Sequence, residues 1–342
     1  MTGMLLSKGF VASMGDKLAA VAREAGLDPD VVHLPGDPRA RLSPADCNRI
    51  EIAYLTRDIR YSEHYAAFGD TVVAARNLKW VHFVSTAIDQ HAFLPALSGR
   101  GVRLTTSAGS NGEPVAQTAI CGLLMLARGF PHWIEAQRRH AWEPVRGSAV
   151  PKDLRGQSIA ILGLGTIGTI VARFCQALGM HVIGVRRSPM QPGDPVAEMH
   201  PFAALPELLP RCDWVVLACP LTDTTRGIIN AGTLALLPRG ARLINVARGG
   251  VVDQQALIEA LKSGHLGGAY LDVFEKEPLP PDSPLWDLPN VLVTPHNALA
   301  SAGNERRAAE VFLANLGRWA RGAPLLNEHT AQEFVGLTPA NS

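Results

Sequence analysis

Apolar and polar positions alternate along this chain in two rhythms. Residues 4–6, 31–34, 52–56, 80–84 and 102–105 are short runs rich in large and β-branched side chains, and they predict strands. Residues 16–25 and 63–75 carry helical spacing between them. Strands separated by helices predict a parallel α/β sheet. A longer helix is expected from about Pro114, a residue suited to a first helical turn, to about Gly129. Residues 135–152 are polar, include Pro144 and Pro151, and read as a connection between domains. From Ser158 the alternation restarts. Strands are expected at 159–162, 182–185, 214–218, 242–246, 269–273 and 291–294, with a helix pattern at 254–263. A last amphipathic helix spans 304–320, with Val311, Phe312, Leu316 and Trp319 on related faces. Six strands are expected to complete the second sheet, so this helix is expected to leave that domain and pack on the first. The expected division is 1–113 completed by 299–342, and 114–298.

One turn in the second half carries specific chemistry. The apolar run from Ser158 to Leu162 leads into Gly163-Leu164-Gly165-Thr166-Ile167-Gly168, and an amphipathic helix follows. A G-x-G-x-x-G between strand and helix allows a tight turn, backbone access for a pyrophosphate and close packing of helix on strand. The helix N-terminus then offers free N–H groups to the phosphates. The next strand ends at Val185, where an acid would bind a ribose 2′-hydroxyl. Arg186, Arg187 and Ser188 stand there instead. Two solvated arginines at a strand end would be unremarked, but a planar donor fork also suits a 2′-phosphate, so NADP is expected as the preferred cofactor, with NAD possible.

Three polar segments follow the expected fourth, fifth and sixth strands. They carry Ala247-Arg248-Gly249-Gly250, then Asp272 and Glu277-Pro278, then Pro295-His296-Asn297. Ligands in a doubly wound sheet sit beyond the carboxyl ends of the strands, so Arg248, Glu277 and His296 should converge. Each alone has an ordinary explanation, as a structural histidine, a solvated arginine or a loop glutamate. Together they suit reduction of a 2-keto acid. Imidazole can donate a proton to the ketone oxygen, a carboxylate can hold the imidazole, and arginine can bind the substrate carboxylate.

Bulk properties narrow the classes. At 342 residues the chain has room for two domains; 47% hydrophobic and 18% charged residues suit a globular enzyme. The net charge of +1 comes without basic or acidic blocks, so no nucleic-acid partner is expected. Cys47, Cys121, Cys175, Cys212 and Cys219 form no C-x-x-C pair, which points to a reducing compartment. The apolar patch before Lys8 is too short for a signal peptide, and no apolar run nears the ~18 residues of a membrane span. A cytoplasmic protein without a membrane partner is expected. The histidines and cysteines show no clustered ligand spacing, so no metal site is expected and a metal-dependent alcohol dehydrogenase is disfavoured.

These segments resemble the signature regions of the D-isomer-specific 2-hydroxyacid dehydrogenases over most of the chain. The resemblance implies a Rossmann cofactor domain, a flavodoxin-like substrate domain and an active site in the cleft between them. It implies Arg248, Glu277 and His296 as the catalytic set and Asp272 as a nicotinamide contact. Cys219, Pro220, Thr225 and Ala247 fall in cofactor-lining stretches. Ser85, Thr86 and Ala87 occupy the place of the family's substrate loop, without its glycine. The double arginine is similar to the NADPH-preferring glyoxylate and hydroxypyruvate reductase branch, and Trp142 stands where that branch often sends an aromatic to the neighbouring subunit's substrate. A hydrophobic dimer contact is an equally good reading of Trp142, and the 113–152 region resembles the family's dimerisation arm, so a homodimer is expected. Two rivals stay open. A phosphoglycerate dehydrogenase would usually carry the acid missing at 186 and often a further regulatory domain, for which this chain has no room. A nucleotide-sensing corepressor-like protein could keep the catalytic set but would not steadily consume NADPH with a keto acid.

Overall fold

The computed structural model describes residues 1–85, 88 and 91–329. The chain divides into two units, Met1–Asn111 with Ser301–Ser342, and Gly112–Ala300.

In the first unit β1 (Thr2–Leu5), β2 (Pro29–Val32), β3 (Ile50–Leu55), β4 (Trp80–Phe83) and β5 (Arg103–Thr106) form a parallel sheet. The order is β2-β1-β3-β4-β5, the flavodoxin-like arrangement, with Glu328–His329 antiparallel beside β5. The first helix, Lys8–Glu24, begins well before residue 16. Gly9 and Gly15 weaken the helical signal there, but Ser7 caps the helix by accepting the Phe10 N–H at 3.0 Å. Phe10, Met14, Leu18 and Ala22 then recur every four residues as its buried face. The Asn304–Ala320 helix belongs to this unit, and Phe312 explains why. Its ring stacks on Tyr54 of β3 at 4.7 Å and on Trp80 of β4 at 5.3 Å.

The same layer buries His82 completely. Its Nε2–H donates to Ser107 Oγ at 2.9 Å, Ser107 donating onward to Ala308 O, and its Nδ1 accepts from Thr105 Oγ1 at 2.7 Å. Burial lowers its pKa to about 3, and that of His91 to about 4. Unfolded histidine takes up a proton near 6.5. Between there and about 3 the unfolded chain therefore binds the extra proton, and stability falls as the medium is acidified, by up to about 1.4 kcal/mol per pH unit for each site. Urea unfolding near pH 7 and pH 5 should show this loss, and His82→Gln should make it smaller by about 1–2 kcal/mol. An unchanged loss would mean that His82 is protonated in the native state.

The second unit contains β6 (Ser158–Leu162), β7 (His181–Val185), β8 (Glu198–His200), β9 (Trp214–Leu217), β10 (Ala241–Asn245), β11 (Leu266–Leu271) and β12 (Val291–Val293). The sheet is parallel throughout, in the order β12-β11-β10-β9-β6-β7-β8. Successive residues of β6 enter opposite cores: Ile159 and Ile161 one layer, Ala160 and Leu162 the other. Two expectations are corrected. The sheet has seven strands, not six, because Glu198–His200 is an edge strand too short and polar to show as an apolar run. Glu198 is held there by Arg211, His181 and His200. The strand at 214–217 is therefore the fourth and pairs with β6, so Arg248, Glu277 and His296 follow the fifth, sixth and seventh strands. Residues 135–152 also do not connect domains. They lie inside the second unit, and the Phe130–Arg138 helix runs into them, opened by Gly129 at φ +74° and Pro131.

Candidate active site

The glycine-rich turn has the geometry its spacing requires. Gly163 sits at φ +95°, and a Cβ there would lie 2.6 Å from the Cys219 backbone. A Cβ at Gly168 would overlap the Gly163 carbonyl, so the Thr166–Ala177 helix approaches the turn as closely as glycine permits. The face at Gly165 is open, with nothing within 4 Å of where a Cβ would stand. That combination fits a pyrophosphate laid on the helix N-terminus, where Thr166 and Ile167 make the first turn.

Gly163, Leu164, Gly165, Arg186, Arg187, Ser188, Cys219, Pro220 and Thr225 all border one cavity of about 760 Å³. Phe202 and Thr222–Thr225 complete it, and the sequence reading had not singled out Phe202, which follows the unseen strand β8. Within this lining Thr225 also braces the loop. Thr225 is buried and closes the 219–225 turn, donating to Pro220 O at 2.7 Å and accepting from the Thr222 N–H at 2.8 Å. The Cys219 thiol is pushed up to about 11 by burial and stays protonated.

His296 and Glu277 meet directly. The imidazole Nδ1–H donates to Glu277 Oε2 at 2.7 Å, which leaves Nε2 pointing away from the pair. Glu277 Oε1 is fixed from behind by the Phe274 N–H at 3.0 Å. His296 itself lies at φ +52°, a left-handed conformation that costs about 1–2 kcal/mol outside glycine. Asp272 accounts for its persistence. The His296 N–H donates to Asp272 O at 2.8 Å. Asp272 Oδ1 accepts from Thr294 Oγ1 at 2.6 Å, Asn297 N at 2.9 Å and Ala298 N at 3.0 Å. Tyr270 donates to Thr294 in turn, at 2.7 Å. The carboxylate expected to touch a nicotinamide is thus 3% exposed and anchors the turn that carries the histidine.

Arg248 is exposed at the end of β10, and its Nη1 rests on Ala247 O at 2.7 Å rather than on Glu277 or His296. The turn beneath it is closed by Asn245, which is 1% exposed, accepts from Ala247 N at 3.0 Å and donates to Arg248 O at 3.2 Å. Gly249 joins the two loops: a Cβ there would overlap the backbone of Phe274, the residue that holds Glu277. Ser85 follows β4 in the first unit, while Thr86 and Ala87 lie outside the described residues. Trp142 belongs to the second unit and is 96% exposed. Among the described residues no cluster of His, Cys, Asp or Glu is placed to hold a metal, and no helix is long and apolar enough to cross a membrane.

Known proteins are similar to this chain over most of its length. The D-isomer specific 2-hydroxyacid dehydrogenase NAD-binding domain matches residues 120–298. A glyoxylate reductase of Korarchaeum cryptofilum is 38% identical over 233 residues, covering 65% of this chain and 68% of that protein. The chain spans about half the length of the D-3-phosphoglycerate dehydrogenases it also matches. Among solved structures, a D-isomer specific 2-hydroxyacid dehydrogenase from Xanthobacter autotrophicus Py2 in complex with NADPH and MES is 34% identical with a TM-score of 0.70, over 97% of this chain and 99% of that one. An NADPH-dependent glyoxylate/hydroxypyruvate reductase from Sinorhizobium meliloti in complex with NADP and sulfate is 28% identical with a TM-score of 0.69, over 97% and 99%. This chain belongs to the D-isomer-specific 2-hydroxyacid dehydrogenase family of NAD(P)-dependent oxidoreductases acting on CH–OH groups.

Proposed function

We propose that this protein is a D-2-hydroxyacid dehydrogenase working as a 2-keto acid reductase, with NADPH and a small substrate such as glyoxylate or hydroxypyruvate. The observation that carries the reading is the His296–Glu277 pair, braced at a left-handed turn with the imidazole Nε2 free to face a substrate. His296 is the proton donor to the keto oxygen, and Glu277 holds its ring in the donating orientation. Arg248 binds the substrate carboxylate through its planar fork. Bound NADPH would supply the hydride. Gly163–Gly168 would hold its pyrophosphate, and the loop after β7 its ribose. The five cysteines remain thiols, which favours the reducing cytoplasm.

Steady-state reduction of a panel of 2-keto acids with NADPH and with NADH tests the reading. We expect turnover of glyoxylate or hydroxypyruvate with NADPH favoured by about tenfold or more in kcat/KM. Preference for NADH by that margin would sink the cofactor assignment, and no turnover of any keto acid would favour a nucleotide-sensing role. Phosphohydroxypyruvate belongs in the panel, given the phosphoglycerate dehydrogenase relatives.

A homodimer is part of the proposal. Trp142 is 96%, Phe130 44% and Trp133 37% exposed, with Phe130 and Trp133 packed edge to face at 5.5 Å. Apolar surface of this kind on one arm suits a partner subunit. Light scattering at micromolar concentration should return twice the chain mass, and a monomer would refute it.

A further inference from the structure

The backbone after β7 folds back on itself, and Arg186 is the clasp. Its Nη1 donates to Asp194 Oδ1 at 3.0 Å, and its Nη2 donates to Oδ2 at 2.5 Å and to Pro189 O at 2.7 Å. Its Nε donates to Ser188 O at 3.2 Å. Four of the five guanidinium N–H groups are therefore committed, two of them to a bidentate carboxylate. Asp194 also accepts from the Gln191 N–H at 2.6 Å. The side chains are only 16% and 12% exposed, so this pair is well shielded from water. The Gln191 N–H and the Arg186 fork together hold the Asp194 carboxyl below its ordinary range. Arg187 borders the same cavity as Arg186 and Ser188 but differs in its commitments: it is exposed and its side chain makes no hydrogen bond or ion pair among the described residues.

We propose that the two arginines have separate tasks: Arg187 and Ser188 bind the 2′-phosphate of NADPH, and Asp194 is a positioning residue that locks Arg186 into the loop so that Arg187 is presented. This rests on the NADPH reading above. A phosphate monoester reaching for Arg186 would have to displace a bidentate carboxylate and would meet the charge of Asp194. The Arg186–Asp194 pair is neutral overall, so the charge the loop offers a phosphate comes from Arg187. Asp194 lies eight positions beyond the strand-end residue that cofactor choice is normally read from, and the clasp is what links the two.

Two fragments that differ only in the phosphate isolate the effect: adenosine 2′,5′-bisphosphate and adenosine 5′-monophosphate, titrated calorimetrically into the full chain. For the unaltered protein the bisphosphate should bind about tenfold or more tightly. Arg187→Ala should bring that ratio to within about threefold of one, leaving the monophosphate affinity unchanged. Asp194→Asn and Arg186→Met should each lower the ratio by about three- to tenfold, and the double variant no further than either, because the pair acts as one unit. Retained monophosphate binding shows that a variant is folded; if Arg186→Met is not, Arg186→Lys, which keeps the charge and loses the fork, should lower the ratio similarly. A high ratio that survives Arg187→Ala but collapses in Arg186→Met overturns the division of tasks and leaves the NADPH reading standing. A ratio that rises in Asp194→Asn makes Asp194 a competitor of the phosphate and overturns its positioning role. A ratio near one in the unaltered protein defeats the NADPH reading and this inference with it.

Discussion

Replacing His296 with asparagine should lower kcat for glyoxylate or hydroxypyruvate by about 10²–10⁴-fold at saturating NADPH, the usual worth of a positioned acid. The imidazole is the group at this site that can hold a proton on the side facing away from Glu277, since its Nδ1–H is already donated to that carboxylate at 2.7 Å. Asparagine can still reach Glu277 with its amide and tolerates the left-handed backbone, so the turn should survive and only the proton should be lost. For the same reason NADPH binding, followed by quenching of protein fluorescence, should change little. Arg248 would still bind the substrate carboxylate, so KM for the keto acid should move far less than kcat. Turnover within a few-fold of the unaltered enzyme would show that another group is the acid, and the proposed mechanism would fail at its centre.

Asp272→Asn should be nearly as damaging, although Asp272 is not proposed to move a proton. Its carboxylate accepts from Thr294 Oγ1, Asn297 N and Ala298 N inside a buried site. An amide presents N–H groups to some of those donors. Each donor left without an acceptor costs about 1–3 kcal/mol, so a stability loss of about 2–4 kcal/mol is expected, read as a lower denaturation midpoint. The turn at 294–298 would relax, and a displacement of His296 on the order of 1 Å can cost about 10² in rate. The expected signature is a large fall in kcat with a small change in KM for NADPH. If KM for NADPH rises steeply while kcat holds, the carboxylate serves the cofactor directly, as the family resemblance implied, and the anchoring role is refuted.

Periodicity and motif spacing were informative where local rules decide the outcome. The strand–glycine turn–helix from Ser158 onward was legible because Gly163 and Gly168 have steric requirements that only glycine meets, and spacing records them. The terminal helix was legible as an amphipathic helix, but the rings its Phe312 stacks on, Tyr54 and Trp80, lie more than two hundred residues away in sequence and leave no local signal. Strand β8 was not legible. Its three residues are stabilised by ion pairs and edge pairing that involve Arg211 and β7, contacts that leave no apolar run behind. The residues that give the site its precision were hidden for a similar reason. Asp272 and Asn245 look like any polar residue at a strand end, and only the folded turns reveal that their side chains satisfy backbone donors. Arg186 is the clearest case. Position along the chain set it beside a ribose, whereas a carboxylate eight residues away took its guanidinium in the fold. Sequence determined which elements form and which chemical groups stand at the strand ends, because those follow from local sterics and burial. Tertiary structure decided which of those groups are already bound to the protein and which stay uncommitted, because that depends on partners brought together only when the chain folds.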